Sequence, residues 1–294
     1  MKKLRKRKLG DWVFDIIIYV ILIALVIVTL YPMWYVIVLS FSNSTDITKY
    51  TGIVLWPERF TLGAYQMVFE HPTLMASFKN TILVLLGSLP LSIILTVLCG
   101  YFMASKGMLW KKAVVGLIMF TMFFSGGLIP GFLNIKSLGL YNTLWALIIP
   151  GCISVYNSII CKTAIETIPE SLSESAYIDG ANDIQVIFKI ILPLIKPTLA
   201  VLTLYYGVAR WNDWFQASIY IKDTNLLPIQ NIIRAVLLEN DIALNSAGVG
   251  DNFNTYAETL KYAAIVISTV PILCIYPFLQ KYFTKGVMIG AVKG

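Results

Sequence analysis

Six stretches of this chain run without charge, or nearly so, for the length of a membrane-crossing helix, and no other feature limits its fold as much. A hydrocarbon core about 30 Å thick is spanned by about 20 helical residues. Ile16 to Thr45 supplies 30 uncharged positions in a row, Thr81 to Ser105 supplies 25, Ala113 to Ile135 supplies 23, and Ser137 to Cys161 supplies 25. Pro197 to Ile221 adds 25 residues interrupted only by Arg210 and Asp213, and Tyr262 to Gln280 adds 19. The expected fold is an all-α integral membrane protein with six transmembrane helices. Composition excludes the soluble alternative: 57% of residues are hydrophobic and 13% charged, about half the charge of ordinary globular chains. Disorder is excluded as well, because disordered chains lack bulky apolar residues.

Residues Met1 to Gly10 are basic and precede an apolar run, which gives the outline of a signal peptide. The run is too long for a signal's apolar core and no small-x-small site closes it, so the first helix is read as retained. With the N-terminus inside, fifteen Lys and Arg residues flank the spans on the inner side and seven (Lys49, Arg59, Lys79, Lys136, Lys222, Arg234 and Lys261) on the outer side. By the positive-inside rule both termini are cytoplasmic. The net charge of +7 reads as orientation and lipid-headgroup contact rather than nucleic-acid binding. The expected organisation is a basic cytoplasmic tail over 1–12, one six-helix domain over 13–284 and a cytoplasmic tail over 285–294. Its long connections are an inner loop over 162–197 and outer loops over 41–79 and 222–261.

Catalytic chemistry finds little support. Cys99, Cys152, Cys161 and Cys274 lie in or beside apolar runs without metal-ligand spacing, and they read as small packing residues. The single histidine, His71, builds neither a zinc site nor a triad alone. No metal or cofactor site is expected in this chain, and no enzyme activity.

The inner loop carries the most specific pattern. It reads Pro169-Glu170-Ser171-Leu172-Ser173-Glu174-Ser175-Ala176-Tyr177-Ile178-Asp179-Gly180-Ala181-Asn182-Asp183 and continues through Phe188 to Leu192-Pro193 and Pro197. Pro169 suits a first helical position with Glu170 near the positive end of the dipole. Gly180 suits a left-handed stop, and Asn182 or Asp183 suits the cap of a second helix that ends before Pro193. The result is a helix–glycine–helix elbow.

Glu174-Ser175-Ala176-x-x-Asp179-Gly180-Ala181, followed by Leu192-Pro193, resembles the EAA motif of bacterial ABC importer permeases, with Ser175 where Ala is commoner. Phe124-Ser125-Gly126-Gly127-Leu128-Ile129-Pro130, Trp211-Asn212 and Leu227-Pro228-Ile229-Gln230 resemble the MalG-like carbohydrate permeases. The segment from Tyr276 to Gly294 is similar to the LplC/YtcP branch, whose substrates derive from oligo- or polysaccharides. The resemblance implies a MetI/MalG-like permease fold whose elbow lies between helices 4 and 5 and docks on an ATPase. It assigns that docking to Glu174, Ser175, Ala176, Asp179, Gly180 and Ala181. It implies as partners a second, LplB-like permease forming a heterodimer, two ABC ATPase subunits holding ATP and Mg, and a solute-binding protein outside a bacterial plasma membrane. No Gly-x-x-x-x-Gly-Lys-Ser/Thr phosphate loop occurs in this chain, so ATP chemistry belongs to separate subunits.

Arg210 and Asp213 are the charges deepest in a predicted span. Intramembrane charges normally face a bundle interior or a wet cavity. Three residues apart, they share a helix face, which Tyr206 extends. Two uses stay open: a structural ion pair, or a translocation path in which Trp211, Asn212 and Trp214 supply sugar-stacking faces and amide groups. An arginine there suits an acidic, uronate-bearing solute. A non-sugar permease, or an ion-coupled secondary transporter using Arg210 and Asp213 as a relay, is the alternative. Outside the membrane, Trp56, Tyr65 and Phe69 read as interfacial anchors or contacts for the solute-binding protein, and Asn245 to Asn254 as a mobile loop with two uses open, touching that protein or plugging the path.

Overall fold

The first two apolar runs each close into one long helix, whereas the third, fourth and fifth are broken. The structure, a computed structural model, describes residues 9–47, 49–70, 72–107, 109–238, 259–275 and 277. The basic tail over 1–8, His71, the segment Asn245 to Asn254 and residues 278–294 lie outside them. Among the described residues every regular element is helical, apart from an isolated bridge between Ser42 and Phe60. The chain divides into two compact units.

The first unit holds residues 1–71 and 244–267. Its helix α1 (Leu9–Ser40) has 32 residues, about 48 Å at 1.5 Å per residue, and is exposed along most of its length. The helix ends before the uncharged run does, and serines bond its last carbonyls: Ser40 Oγ donates to Ile37 O and Ser42 Oγ to Val38 O. Two short helices follow, α2 (Ser44–Ile47) and α3 (Gly63–Glu70). The connecting segment returns to α1, where Trp34 Nε1 donates to Leu55 O and the Val54 amide donates to Tyr31 Oη. Phe41 stacks on Phe60 and tilts against Tyr65, with centroids 5.2 and 4.9 Å away. Asp46 is buried beneath Arg59, whose Nε and Nη2 donate to its carboxylate at 2.8 and 2.6 Å. That guanidinium holds the Asp46 carboxyl below its ordinary range.

The second unit holds residues 72–243 and 268–294. Helix α4 (Pro72–Ala104) begins nine residues before the second apolar run, and at the join Asn80 Nδ2 donates to Asn225 O at 2.7 Å. After it come α5 (Lys111–Phe123), α6 (Leu128–Ser137), α7 (Trp145–Ile148) and α8 (Val155–Glu166). They continue as α9 (Glu170–Ile178), α10 (Asp183–Gln185), α11 (Leu192–Leu194), α12 (Lys196–Trp211), α13 (Phe215–Tyr220) and α14 (Ile229–Leu238). An apolar helix α15 (Thr259–Ile275) follows.

Two described helices, α1 and α4, are long and apolar enough to cross a membrane unbroken. The third run bends by 113° between α5 and α6, and the segment Asp183–Leu194 meets α12 at 86°. Breaks fall where the sequence places Gly126-Gly127, Pro150-Gly151 and Asn212-Asp213. Helix α4 packs along α8 through a close approach, where a Cβ at Gly100 would stand 2.9 Å from that of Cys161. Cys161 is buried in a core with Val97, Ile165, Val186, Ile187, Ile191, Ile195 and Leu202, matching the packing role read from sequence. In hydrocarbon such contacts hold helices by close fit, since there is little water to expel.

Candidate functional site: a helix–glycine–helix elbow and a broken-helix cavity

The segment from Pro169 to Leu194 folds as a helix–glycine–helix elbow from local chemistry. Pro169 precedes α9 as its cap, one residue outside the helix, and Glu170 opens it. Gly180 takes φ +87°, where a side chain costs about 1–2 kcal/mol. The turn closes as a full glycine stop: Gly180 N–H donates to Tyr177 O and Ala181 N–H to Ala176 O. Asn182 then caps the next helix in a reciprocal box with Gln185, at 2.9 and 3.1 Å. That helix runs through Pro193 instead of ending before it. A π-helical stretch from Val186 to Ile191 precedes the proline, and such wide turns change which carbonyls face the following ring.

Ala176 and Ala181 pack inward against the Cys161 core. Glu174, Ser175, Asp179 and Gly180 are exposed, with the Ser175 hydroxyl turned back to Ser171 O. The elbow also exposes apolar residues: Ile178 is 87% accessible, Ile184 66% and Phe188 56%. Large apolar side chains left this exposed at a turn favour a protein partner over water. Sequence reading missed how the elbow is held. Tyr177 Oη and Tyr101 Oη both donate to Asp183 Oδ1, at 2.6 and 3.1 Å, and Lys106 Nζ pairs with Glu170 Oε2 at 2.5 Å. The Asp183 carboxylate raises the Tyr177 hydroxyl pKa, and the hydrogen bond to Glu170 raises that of Lys106. No periodicity links Tyr101 to Asp183, so only the fold reveals the pairing.

The second region is a cavity of about 740 Å³ where α12 faces the α7–α8 link. Arg210, Asp213 and Tyr206 line it, together with Gly151, Asn157 and Gln216, which sequence reading passed over. Their polarity serves the broken backbone. Arg210 Nη2 donates to Pro150 O at 2.5 Å, Tyr206 Oη accepts from Ser154 N–H at 2.9 Å, and Asp213 Oδ1 accepts from Gln216 N–H at 3.2 Å. Non-helical backbone at membrane depth persists only where protein satisfies it or a wet cavity adjoins it. Arg210 and Asp213 stand 3.9 Å apart, so the guanidinium's short bond goes to Pro150 and its link to the carboxylate is loose. The buried Gln216 Oε1 has no partner among the described residues.

Trp211, Asn212 and Trp214 do not line this cavity. Trp211 is buried, donating from Nε1 to Ser268 O and meeting Phe78 edge-on at 5.9 Å. Asn212 caps α12 by donating from Nδ2 to Val208 O. Trp214 lies beneath the Arg234 guanidinium, 3.6 Å from its ring centroid, and its carbonyl accepts from Asn231 Nδ2.

Comparison with known proteins places these features in context. Residues 1–289 match the family described as binding-protein-dependent transport system inner membrane component. Protein LplC of Bacillus subtilis (strain 168) is 38% identical, over 96% of this chain and 95% of its own. The polygalacturonan/rhamnogalacturonan transport system permease protein YtcP of the same organism is 37% identical, over 96% and 98%. A chain from the crystal structure of a bacterial ABC transporter involved in the import of the acidic polysaccharide alginate superposes with a TM-score of 0.88 at 30% identity, covering 95% of this chain and 99% of that one.

Proposed function

The chain belongs to the family of binding-protein-dependent transport system inner membrane components, and from that premise we propose that it forms half of a heterodimeric ABC importer pore for acidic oligosaccharides. The observation that carries the solute class is the agreement between its relatives and its cavity. Relatives named for polygalacturonan/rhamnogalacturonan and alginate transport accompany an arginine lining a cavity within the permease fold. In this reading the six apolar runs are six crossings, some of them broken, with both termini cytoplasmic. A second, LplB-like permease completes the pore, and two ATPase subunits hold ATP and Mg. An external binding protein delivers the solute.

The elbow from Glu174 to Ala181 docks on the ATPase. Glu174 pairs with a basic group there, and the apolar tip of Ile178 and Ile184 fills its cleft. ATP binding draws the two elbows together and opens the pore outward, and hydrolysis resets it. Arg210 retains donor positions beyond the one given to Pro150, and these meet a solute carboxylate; Gln216 Oε1 accepts from a solute hydroxyl. Tyr206 and Asp213 shape the wall, while Trp211, Asn212 and Trp214 hold the end of α12 that presents Arg210. Contacts are few, which suits a path that must release what it binds.

The test is uptake by the whole transporter in ATP-loaded vesicles, comparing uronate and neutral oligosaccharides of equal length. Arg210→Ala should lower uronate uptake about tenfold or more, as expected for losing a charged hydrogen bond, and neutral uptake far less. Equal losses would overturn the acidic assignment. Uptake driven by an ion gradient without an ATPase would overturn the importer reading itself.

A further inference from the structure

Helix α9 is fastened at both of its ends to the inner end of α4. At its start, Lys106, just beyond α4, pairs with Glu170 at 2.5 Å. At its finish, Tyr101 of α4, Tyr177 of α9 and Asp183 of α10 form a closed triangle. The two hydroxyls lie 2.8 Å apart, and each reaches the same carboxylate oxygen, at 3.1 and 2.6 Å. Two hydroxyl protons serve three short edges, so two edges are bonded at any instant and the third is held by them. Hydrogen bonds to an ionised acceptor are roughly twice as strong as neutral ones. Between the polar ends, Tyr101 and Ala104 of α4 pack on the same core as Ala176 and Ala181 of the elbow.

The elbow is also continuous with α12 through the segment Asp183–Leu194 and its 86° bend. Two long helices therefore leave it, one by the chain and one by side chains. We propose that Tyr101, Tyr177 and Asp183 are a latch that makes α4 follow the elbow, so that one push from below moves both α4 and the cavity-bearing α12. The latch residues are positioning residues. The Lys106–Glu170 pair is the weaker fastening, because both side chains are largely exposed, at 76% and 56%, and such pairs are screened. This inference rests on the reading of the elbow as the ATPase dock.

The experiment uses the complete transporter in proteoliposomes with its binding protein. Tyr101→Phe keeps the ring in the core and removes the hydroxyl, and Asp183→Asn removes the shared charge while keeping the shape. Three quantities are measured: ATPase subunit retained on purification, ATP hydrolysed on adding solute-loaded binding protein, and solute imported per ATP. ATPase retention and hydrolysis should stay within about twofold of the parent, while solute per ATP falls about tenfold, the scale of one charged hydrogen bond. The double variant should be no worse than Asp183→Asn alone, because both act on one link. Unchanged solute per ATP in the double variant overturns the latch. Loss of the ATPase from the latch variants also overturns it, since that would make these residues part of the dock. If the parent itself retains no ATPase, the underlying reading of the elbow fails instead, and the two failures are told apart by that one measurement.

Discussion

The elbow and the cavity are both built where an apolar chain breaks its helix, yet the breaks are satisfied from opposite distances. At the elbow the freed amides find partners within a turn: Gly180 on Tyr177, Ala181 on Ala176, Gln185 on Asn182. At the cavity the partners come from 60 and 52 residues away, Arg210 to the Pro150 carbonyl and Tyr206 to the Ser154 amide. A locally satisfied break keeps its shape when its surroundings move, which suits a lever. A break closed by distant side chains exists only while the helices around it stay packed, which suits a wall that must change with the state of the pore.

Two glycine substitutions test that contrast, and the cavity should suffer more. Gly151 has φ +71°, and a Cβ there would stand 3.2 Å from Arg210 Nη2. Gly151→Val therefore combines backbone strain with displacement of the arginine that satisfies Pro150, costing about 3 kcal/mol or more. Thermal stability of the purified transporter and uptake should fall together. Gly180 also has a positive φ, +87°, but a Cβ there meets nothing within 4 Å. Gly180→Leu should leave the protein in the membrane with nearly unchanged thermal stability, paying only about 1–2 kcal/mol of local strain, while ATP hydrolysis and uptake become uncoupled. Gly180→Asn should restore much of the coupling, since Asn tolerates the left-handed region. If both glycine variants lose stability alike, or if Gly180→Leu transports normally with full coupling, the contrast between lever and wall is wrong.

The same contrast explains what could be read from sequence. Gly180 as a stop and Asn182 as a cap follow from residues a few positions apart, and the structure has both. Arg210 and Asp213 stand out because charge in an apolar run is rare, and Tyr206 because it lies one turn away on the same face; all three line the cavity. The bend between α5 and α6, and the break after Pro150, were harder to see. An apolar run looks the same whether it crosses straight or folds at 113°, because hydropathy carries no information on direction. Trp211 and Trp214 were read by type alone, as sugar-stacking rings. One is committed to Ser268 and Phe78 and the other to Arg234, pairings across 57, 133 and 20 positions of sequence. Gln216, Asn157 and Tyr101 carry no signal, since uncharged polar residues are common and only their company marks them; Asp183 reads from sequence as a cap, and its bond to two tyrosines does not.

The smallest expected effect lies at the fastening of the elbow that water reaches. Lys106 and Glu170 are both exposed, and the hydrogen bond to Glu170 raises the lysine pKa. A group whose pKa is raised on folding contributes fully below its ordinary value, about 10.4 for lysine, and the contribution is lost as pH rises through the higher value. Protease accessibility of the elbow in membrane vesicles should therefore stay level from neutral pH to about 9, then rise above the ordinary lysine range. At neutral pH it should rise slightly with salt, because exposed pairs are screened. Lys106→Gln should reproduce the high-pH behaviour at neutral pH and abolish the salt dependence. The Arg210 contact with Pro150, from a side chain only 8% exposed to a backbone carbonyl that does not titrate, should show neither trend. A salt response in the Arg210-lined wall equal to that at Lys106 would mean that the cavity is no better shielded than the elbow, and the division between a water-side lever and a packed wall would fail at its weakest link.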